Sequence, residues 1–161
     1  MRSLLALILF VVSTLAIAQF VAATSADRSV VASSAYPTAI DPDKVGRYNG
    51  RAKSGAGYFY DDVLEYRVWM DPKDGAARRN GNSACFAAFA QYEMARAFSE
   101  RTKGAEEPLV LIRQLKHVNE PKPGVFEVVE VERIAEWQVE WLAGSKRVPG
   151  AIEKFLAERK K

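Results

Sequence analysis

The chain has little of two residue types on which many small proteins depend: in 161 residues it holds one cysteine, Cys85, and one histidine, His117. A single cysteine excludes a disulfide within the chain, and a single histidine excludes a histidine-rich metal site. The formal net charge of +3 is small and comes largely from the final "ERKK". No concentrated basic patch is therefore left to predict binding to nucleic acid.

The N-terminal segment, residues 1–26, has the three parts of a secretory signal peptide. Arg2 gives a short basic start, residues 4–15 form an apolar run, and small residues follow it. Ala16 and Ala18 form an A-x-A cleavage site. This pattern predicts a secreted or periplasmic protein.

The alternative to cleavage is a retained membrane anchor. Residues 4–23 give an apolar stretch of about 20 residues, which is enough to span a bilayer and could associate the protein with a membrane. If the translation start is placed too far upstream, this segment is not part of the protein and gives no evidence of export. Cleavage is the favoured interpretation because several small-residue sites follow one another.

Residues 27–57 are rich in Ser, Ala, Gly, Asp and Pro and show neither helical nor strand periodicity. This composition predicts a disordered linker that holds the folded part away from a membrane or a processing site.

The predicted domain covers residues 58–145. Within it, "LEYRVWM" alternates apolar with polar or aromatic residues from Leu64 to Met70, which predicts a strand with one buried face. The stretch "ACFAAFAQYEMARAFSERT" predicts a helix from Ala84 to Thr102, with Asn82 or Ser83 as its N-cap. Gly104 is placed to take the left-handed conformation after the helix.

Three further β-prone runs follow, "LVLIRQLKHV", "VFEVVEVERI" and "AEWQVEWL", the last being a fourth strand or a bent continuation of the third. The C-terminal tail, residues 146–161, predicts a short helix. The fold class is thus α+β: a small antiparallel sheet of three to four strands in βαββ order, with one packed helix and a short C-terminal helix.

The turn before the predicted helix contains the one arrangement that suggests a cofactor: Arg78, Arg79, Gly81 and Ser83. Unpaired amides and the dipole at a helix start favour an anion. The order R-x-x-G-x-S resembles the loop of the GNAT acetyltransferases, which implies a site for the pyrophosphate of acetyl-CoA. Ser83 departs from the family pattern. A polar turn with a helix cap explains the same residues without a cofactor and is the favoured interpretation.

A broader resemblance extends from Tyr58 to Leu156. Segments such as "YFYDDVLEYRVW" and "EPKPGVFEVVEVERIAEWQVEWL" are similar to a family of small uncharacterised bacterial proteins, some of them labelled as GNAT-type acetyltransferases without a full motif. The resemblance implies one compact domain and supplies no catalytic residues.

Other chemically capable residues have simpler interpretations. Cys85 could act as a nucleophile with His117 as its base, although a packed core cysteine is favoured. The glutamates between Glu127 and Glu140 are typical of the solvated face of a sheet, and the three tryptophans are expected to pack against the helix.

Two functions remain open at this point. The first is an exported or membrane-tethered, non-enzymatic binding or interaction module with no cofactor and no identified partner. The alternative is a reduced GNAT-like, acetyl-CoA-dependent N-acetyltransferase.

Overall fold

The computed structural model of the protein describes residues 34–49, 57–78 and 83–159. The predicted signal peptide or anchor of residues 1–26 lies outside these ranges. The secondary structure elements are strands β1 (Asp62–Met70) and β2 (Cys85–Phe89), helix α1 (Tyr92–Arg101), strands β3 (Leu109–Gln114), β4 (His117–Lys122), β5 (Val125–Val129) and β6 (Arg133–Gln138), and helix α2 (Ala151–Arg159).

Four strands form one antiparallel sheet in the order β2-β1-β3-β6, and β4 pairs with β5 in a separate hairpin. Helix α1 packs on one face of the larger sheet. The α+β class, the antiparallel sheet and the C-terminal helix are therefore confirmed.

The predicted start of the first helix is wrong. Cys85–Phe89 is a strand, and α1 begins only at Tyr92, so the element order starts ββα rather than βα. The two phenylalanines, Phe86 and Phe89, are three residues apart, which would place them on one face of a helix, but the short apolar run also fits a strand. Pairing with β1 makes the segment a strand. Five consecutive residue pairs, from Met70↔Cys85 to Tyr66↔Phe89, give the backbone N–H and C=O groups of this short segment hydrogen-bond partners on β1.

Both faces of β1 are buried, in contrast to the predicted single buried face. The register with β3 shifts between Val63 and Glu65, which places Leu64 in a bulge. The bulge brings Val63 onto the same face as Tyr66 and Val68, and all three belong to the core under α1. Glu65 and Arg67 lie on the opposite face and are nevertheless buried.

The core between the sheet and α1 is built from aromatic and β-branched side chains. On the helix, Ala95 is fully buried, and Phe98 contacts Phe89 of β2 with ring centroids 5.2 Å apart. The small Ala95 lets the helix approach the sheet closely. Further core members are Tyr60, Val110, Ile112, Ala135, Trp137, Val139 and Leu142.

Gly104 takes the left-handed conformation predicted for it, with φ of 72°. A Cβ atom at this position would lie 2.2 Å from the backbone nitrogen of Ala76. Gly104, three residues beyond the end of α1, must therefore be glycine for two reasons, the backbone angle and the close approach of the turn after β1.

The predicted disordered linker is wrong for residues 34–49, which pack on the sheet. Ala39 is buried, and its backbone N–H donates to the carbonyl of Ala90 at 2.8 Å. The N–H of Ile40 donates to Val63 at the same distance. The sequence of this segment lacks strand or helix periodicity because, apart from a short 3₁₀ helix at Pro42–Lys44, it is held by single backbone hydrogen bonds and side-chain contacts.

The C-terminal helix packs through Ile152, which is buried, and Phe155, whose ring lies 5.5 Å from that of Phe59. The run "VEWL", predicted as strand, is a 3₁₀ turn at Val139–Leu142. In the part of the chain that the structure describes, no helix has the length and apolar character needed to cross a bilayer.

Candidate functional site

The loop predicted to hold an anion joins β1 to β2. Arg78 and Ser83 are exposed at its two ends, while Arg79 and Gly81 lie outside the described residues. Ser83 leads into a strand and not into a helix. The unpaired amides and dipole of a helix start are therefore not available at Ser83, which removes that reason for expecting an anion there.

A different group of residues is brought together on the face of the sheet opposite α1. Arg67, 1% exposed, lies at its centre. Its Nε donates to Oε1 of Glu65 at 2.6 Å, and its Nη1 donates to Oε1 of Glu136 at 2.8 Å. Its Nη2 donates to the carbonyl oxygen of Tyr48 at 2.7 Å. We call Glu65, Arg67 and Glu136 the ion triad.

The ion triad spans three strands and also holds the segment before the domain. Glu65 and Glu136 lie on either side of Leu111 in the register of β1, β3 and β6. The second carboxylate oxygen of Glu65 accepts a hydrogen bond of 2.6 Å from the N–H of Gly46. Because a buried charge is tolerated only when it is paired and hydrogen-bonded, the triad fixes where residues 46–48 dock.

An open cleft lies beside the triad. The guanidinium carbon of Arg67 lies 4.3 Å from the ring centroid of Phe86, and the rings of Phe86 and Trp69 are 5.0 Å apart. Trp69 and Phe86 are half-buried, whereas Arg47 at the rim is exposed. The cleft has a volume of about 470 Å³ and is lined by Gly46, Arg47, Tyr48, Asn49, Arg67, Trp69 and Phe86. We call it the β1–β2 cleft.

The side chains that line the β1–β2 cleft are suited to binding a ligand. The rings of Trp69 and Phe86 offer contact to a planar group, although Arg67 already covers one face of Phe86, and Arg47 offers a positive charge at the edge. In the described ranges, no group of three or more His, Cys, Asp or Glu side chains is placed to hold a metal ion.

The proposed nucleophile and base are on different sheets. Cys85 is half-buried on β2 opposite Met70, and His117 is buried on β4 opposite Val129. Among the hydrogen bonds of the described residues, none joins the two side chains. The structure therefore gives no catalytic dyad from these residues.

His117, the first residue of β4, instead lies near the charge of Arg133, which belongs to a polar cluster with Gln114 and Asn119. Arg133 donates from Nε to Gln114 at 2.7 Å and from Nη1 to Asn119 at 3.1 Å. Burial lowers the pKa of His117, and the positive charge of Arg133 lowers it further. Nδ1 of His117 and Nη2 of Arg133 are both buried without a hydrogen-bond partner in the described structure.

A second cavity, of about 370 Å³, lies at the start of α2. Its charged lining side chains are engaged with one another: Arg147 pairs with Asp61, and Lys116 lies 3.8 Å from Glu153. Because these charges are already paired, the cavity offers less for a ligand than the β1–β2 cleft.

The expectations for the glutamates and tryptophans are confirmed in part. Glu127, Glu130, Glu132 and Glu140 are exposed, but Glu136 belongs to the ion triad. Trp137 is buried in the core under α1, whereas Trp69 lies on the other face and lines the cleft.

Sequence reasoning missed the residues that build the site, above all Arg67, Glu65 and Tyr48. A usable signal was present, because Glu65, Arg67 and Trp69 alternate along one strand and two opposite charges share a face.

Comparison of the chain with protein-family models, with curated proteins and with solved structures finds no match. The resemblances to the GNAT loop and to small bacterial proteins stay predictions, and function must be inferred from the site.

Proposed function

We propose that this protein is an exported or membrane-tethered, non-enzymatic binding module whose ligand site is the β1–β2 cleft. The observation that supports this most directly is the pair of half-buried rings, Trp69 and Phe86, beside the fully engaged Arg67. An aromatic surface at a fixed position with one exposed cation nearby is suited to binding.

The ligand we infer carries a planar group together with a negative charge. The planar part would lie against Trp69 and Phe86, where aromatic contact and burial of apolar area both contribute. The negative charge would face Arg47. Arg67 contributes no net positive charge, because it is paired with the two carboxylates of Glu65 and Glu136, and the negative charge of the ligand would therefore lie at Arg47 and away from the ion triad.

The ion triad would give this site its rigidity. Tyr48 and Gly46 line one wall, and both are held through their backbones, by Arg67 and Glu65 respectively. A wall that is ordered before binding reduces the conformational entropy lost when a ligand binds.

The alternative, an acetyl-CoA-dependent transferase, rests on the order Arg78 to Ser83. That order implied a loop opening a helix, whereas the loop precedes β2. No other observation in the described part of the chain favours this alternative, so the binding module is preferred.

The test is a titration with indole-3-acetate, which combines a planar ring with a carboxylate. Indole and acetate are the matched probes that carry only one of the two features. Binding would be followed by NMR through the indole N–H signals of the three tryptophans, with the Trp69 signal assigned by its loss in Trp69→Phe.

We expect indole-3-acetate to shift the Trp69 signal with a dissociation constant of about 1 mM, which corresponds to roughly 4 kcal/mol. Indole and acetate should bind more weakly. Arg47→Gln should reduce the affinity for indole-3-acetate to that for indole, and Trp141→Phe should leave it unchanged. Equal or absent shifts for all three probes would contradict the proposal.

A further inference from the structure

Strand β2 is an edge strand of an unusual composition. It occupies one end of the sheet order β2-β1-β3-β6, and the described residues contain no strand on its outer side. Its sequence "CFAAF" has no charge and no proline, and its five residues pair with β1 without a register shift. Edge strands usually carry charges, prolines or bulges that prevent pairing with another chain.

The opposite edge shows the contrast. Strand β6 carries Arg133 and Glu136 within six residues, and both side chains are engaged in polar contacts. A second chain adding to β6 would have to accommodate these charges. Of the two edges of this sheet, β2 is the one whose described residues, Cys85–Phe89, carry no charge, no proline and no bulge.

The strand is also complementary to itself when it is read in the reverse direction. Antiparallel pairing of two copies about Ala87 sets Phe86 opposite the partner's Ala88, and Cys85 opposite the partner's Phe89. Each phenylalanine thus meets a small residue on both faces, while Ala87 meets the partner's Ala87. Large and small side chains paired directly across two strands fill space without crowding.

We propose that two copies of this chain form a symmetric dimer by antiparallel pairing of their β2 strands about Ala87. The two sheets then continue as one sheet of eight strands. The two-fold axis is perpendicular to this sheet, because antiparallel pairing keeps each face of one copy beside the same face of the other.

The dimer brings the two β1–β2 clefts together. Phe86 lines the cleft and lies one residue from the axis. The partner's Phe86 would therefore be a close neighbour on the same face, and the two clefts would form a continuous surface. This inference does not depend on the ligand class, since strand pairing and ligand binding are measured separately.

The sole cysteine makes the register testable. In this pairing, Cys85 and the partner's Cys85 are offset by four residues, or about 13 Å along the strands. A disulfide needs Cα atoms within about 7 Å, so the wild-type chain should form no disulfide-linked dimer. Ala87→Cys in a Cys85→Ser background places the two cysteines directly opposite each other and should form one.

The matched control is Ala143→Cys in the same Cys85→Ser background. Ala143 is exposed, whereas Ala87 is half-buried, so random collision would favour the control. We expect a dimer band on a non-reducing gel for Ala87→Cys alone when the purified full chain is oxidised. Circular dichroism confirms that each variant is folded.

Light scattering on the wild-type chain should show the mass rising from one to two copies between about 1 and 200 μM, as expected for a small interface. Ala87→Lys should remain monomeric, because it places two lysines on the axis, and Ala143→Lys should dimerise like the wild type. A monomer across this range, a disulfide between wild-type Cys85 residues, or equal cross-linking of both cysteine variants would overturn the proposal.

Discussion

Replacing Arg67 with methionine should destabilise the fold more than any surface substitution. The change removes the charge at the centre of the ion triad but keeps most of the side-chain volume. Glu65, 0% exposed, would keep its hydrogen bond from Gly46 and lose its ion pair of 2.6 Å. Removing one partner of a buried pair costs about 3–5 kcal/mol, because a buried charge is left uncompensated.

The cost is large relative to the whole domain, whose stability is expected to be about 5–15 kcal/mol. Urea unfolding followed by circular dichroism measures the free energy of unfolding directly. The matched control is Arg96→Met, which removes an arginine at the same distance, 2.8 Å, from Glu100 as Arg67 is from Glu136. Both Arg96 and Glu100 are more than half exposed, so the control should cost about 0.5 kcal/mol or less.

A double variant separates the uncompensated charge from lost packing. Glu65→Gln combined with Arg67→Met leaves neither charge at the buried pair, so it should be more stable than Arg67→Met alone by about 1–2 kcal/mol. An Arg67→Met cost below about 1 kcal/mol, or a double variant less stable than the single one, would refute this account of the triad.

Three further predictions concern the core, the pH dependence and the N-terminus. Phe89→Ala should lower the free energy of unfolding by about 2–4 kcal/mol, since Phe89 contacts Phe98 across the helix–sheet interface. Val125 is exposed, so the control Val125→Ala should change the free energy of unfolding by less than about 0.5 kcal/mol. Because the pKa of His117 in the folded state is below its ordinary value of 6.5, the unfolded chain binds the proton more readily. The free energy of unfolding should therefore fall as the pH drops below about 6.5. His117→Gln should remove this part of the pH dependence. An NMR titration of the sole histidine that gives a pKa above 6.5 would contradict this prediction. Mass spectrometry of the protein from its native host should find a mature chain that starts near Gln19, Thr24 or Asp27, and an intact Met1 in a cytoplasmic fraction would be the opposite result.

Much of the local structure could be predicted from the sequence because it depends on the periodicity of apolar residues and on residues with particular backbone preferences, such as glycine. The alternation from Leu64 to Met70 predicts β1, and the spacing of Ile152, Phe155 and Leu156 predicts α2. The sequence predicts a left-handed conformation for Gly104 after the first helix, and Gly104 takes it three residues beyond the end of α1. In each case the physical cause acts within a few residues.

The start of the first helix could not be predicted from local sequence alone. "CFAAF" fits a strand or a helix, and only the pairing with β1 makes it a strand. The anion site expected near Ser83 depended on the same distinction, because Ser83 precedes strand β2 and not the start of a helix.

The sequence by itself determined the α+β class, the lack of internal disulfides and the positions of most strands. The tertiary structure alone decided the site. Arg67 and Glu136 are 69 residues apart, and they meet because β3 lies between β1 and β6 in the sheet. Tyr48 and Gly46 join them from a segment without periodicity, held by two hydrogen bonds to buried charges. Local patterns report which face a side chain occupies, whereas the strand order that sets its neighbours depends on packing across the whole domain.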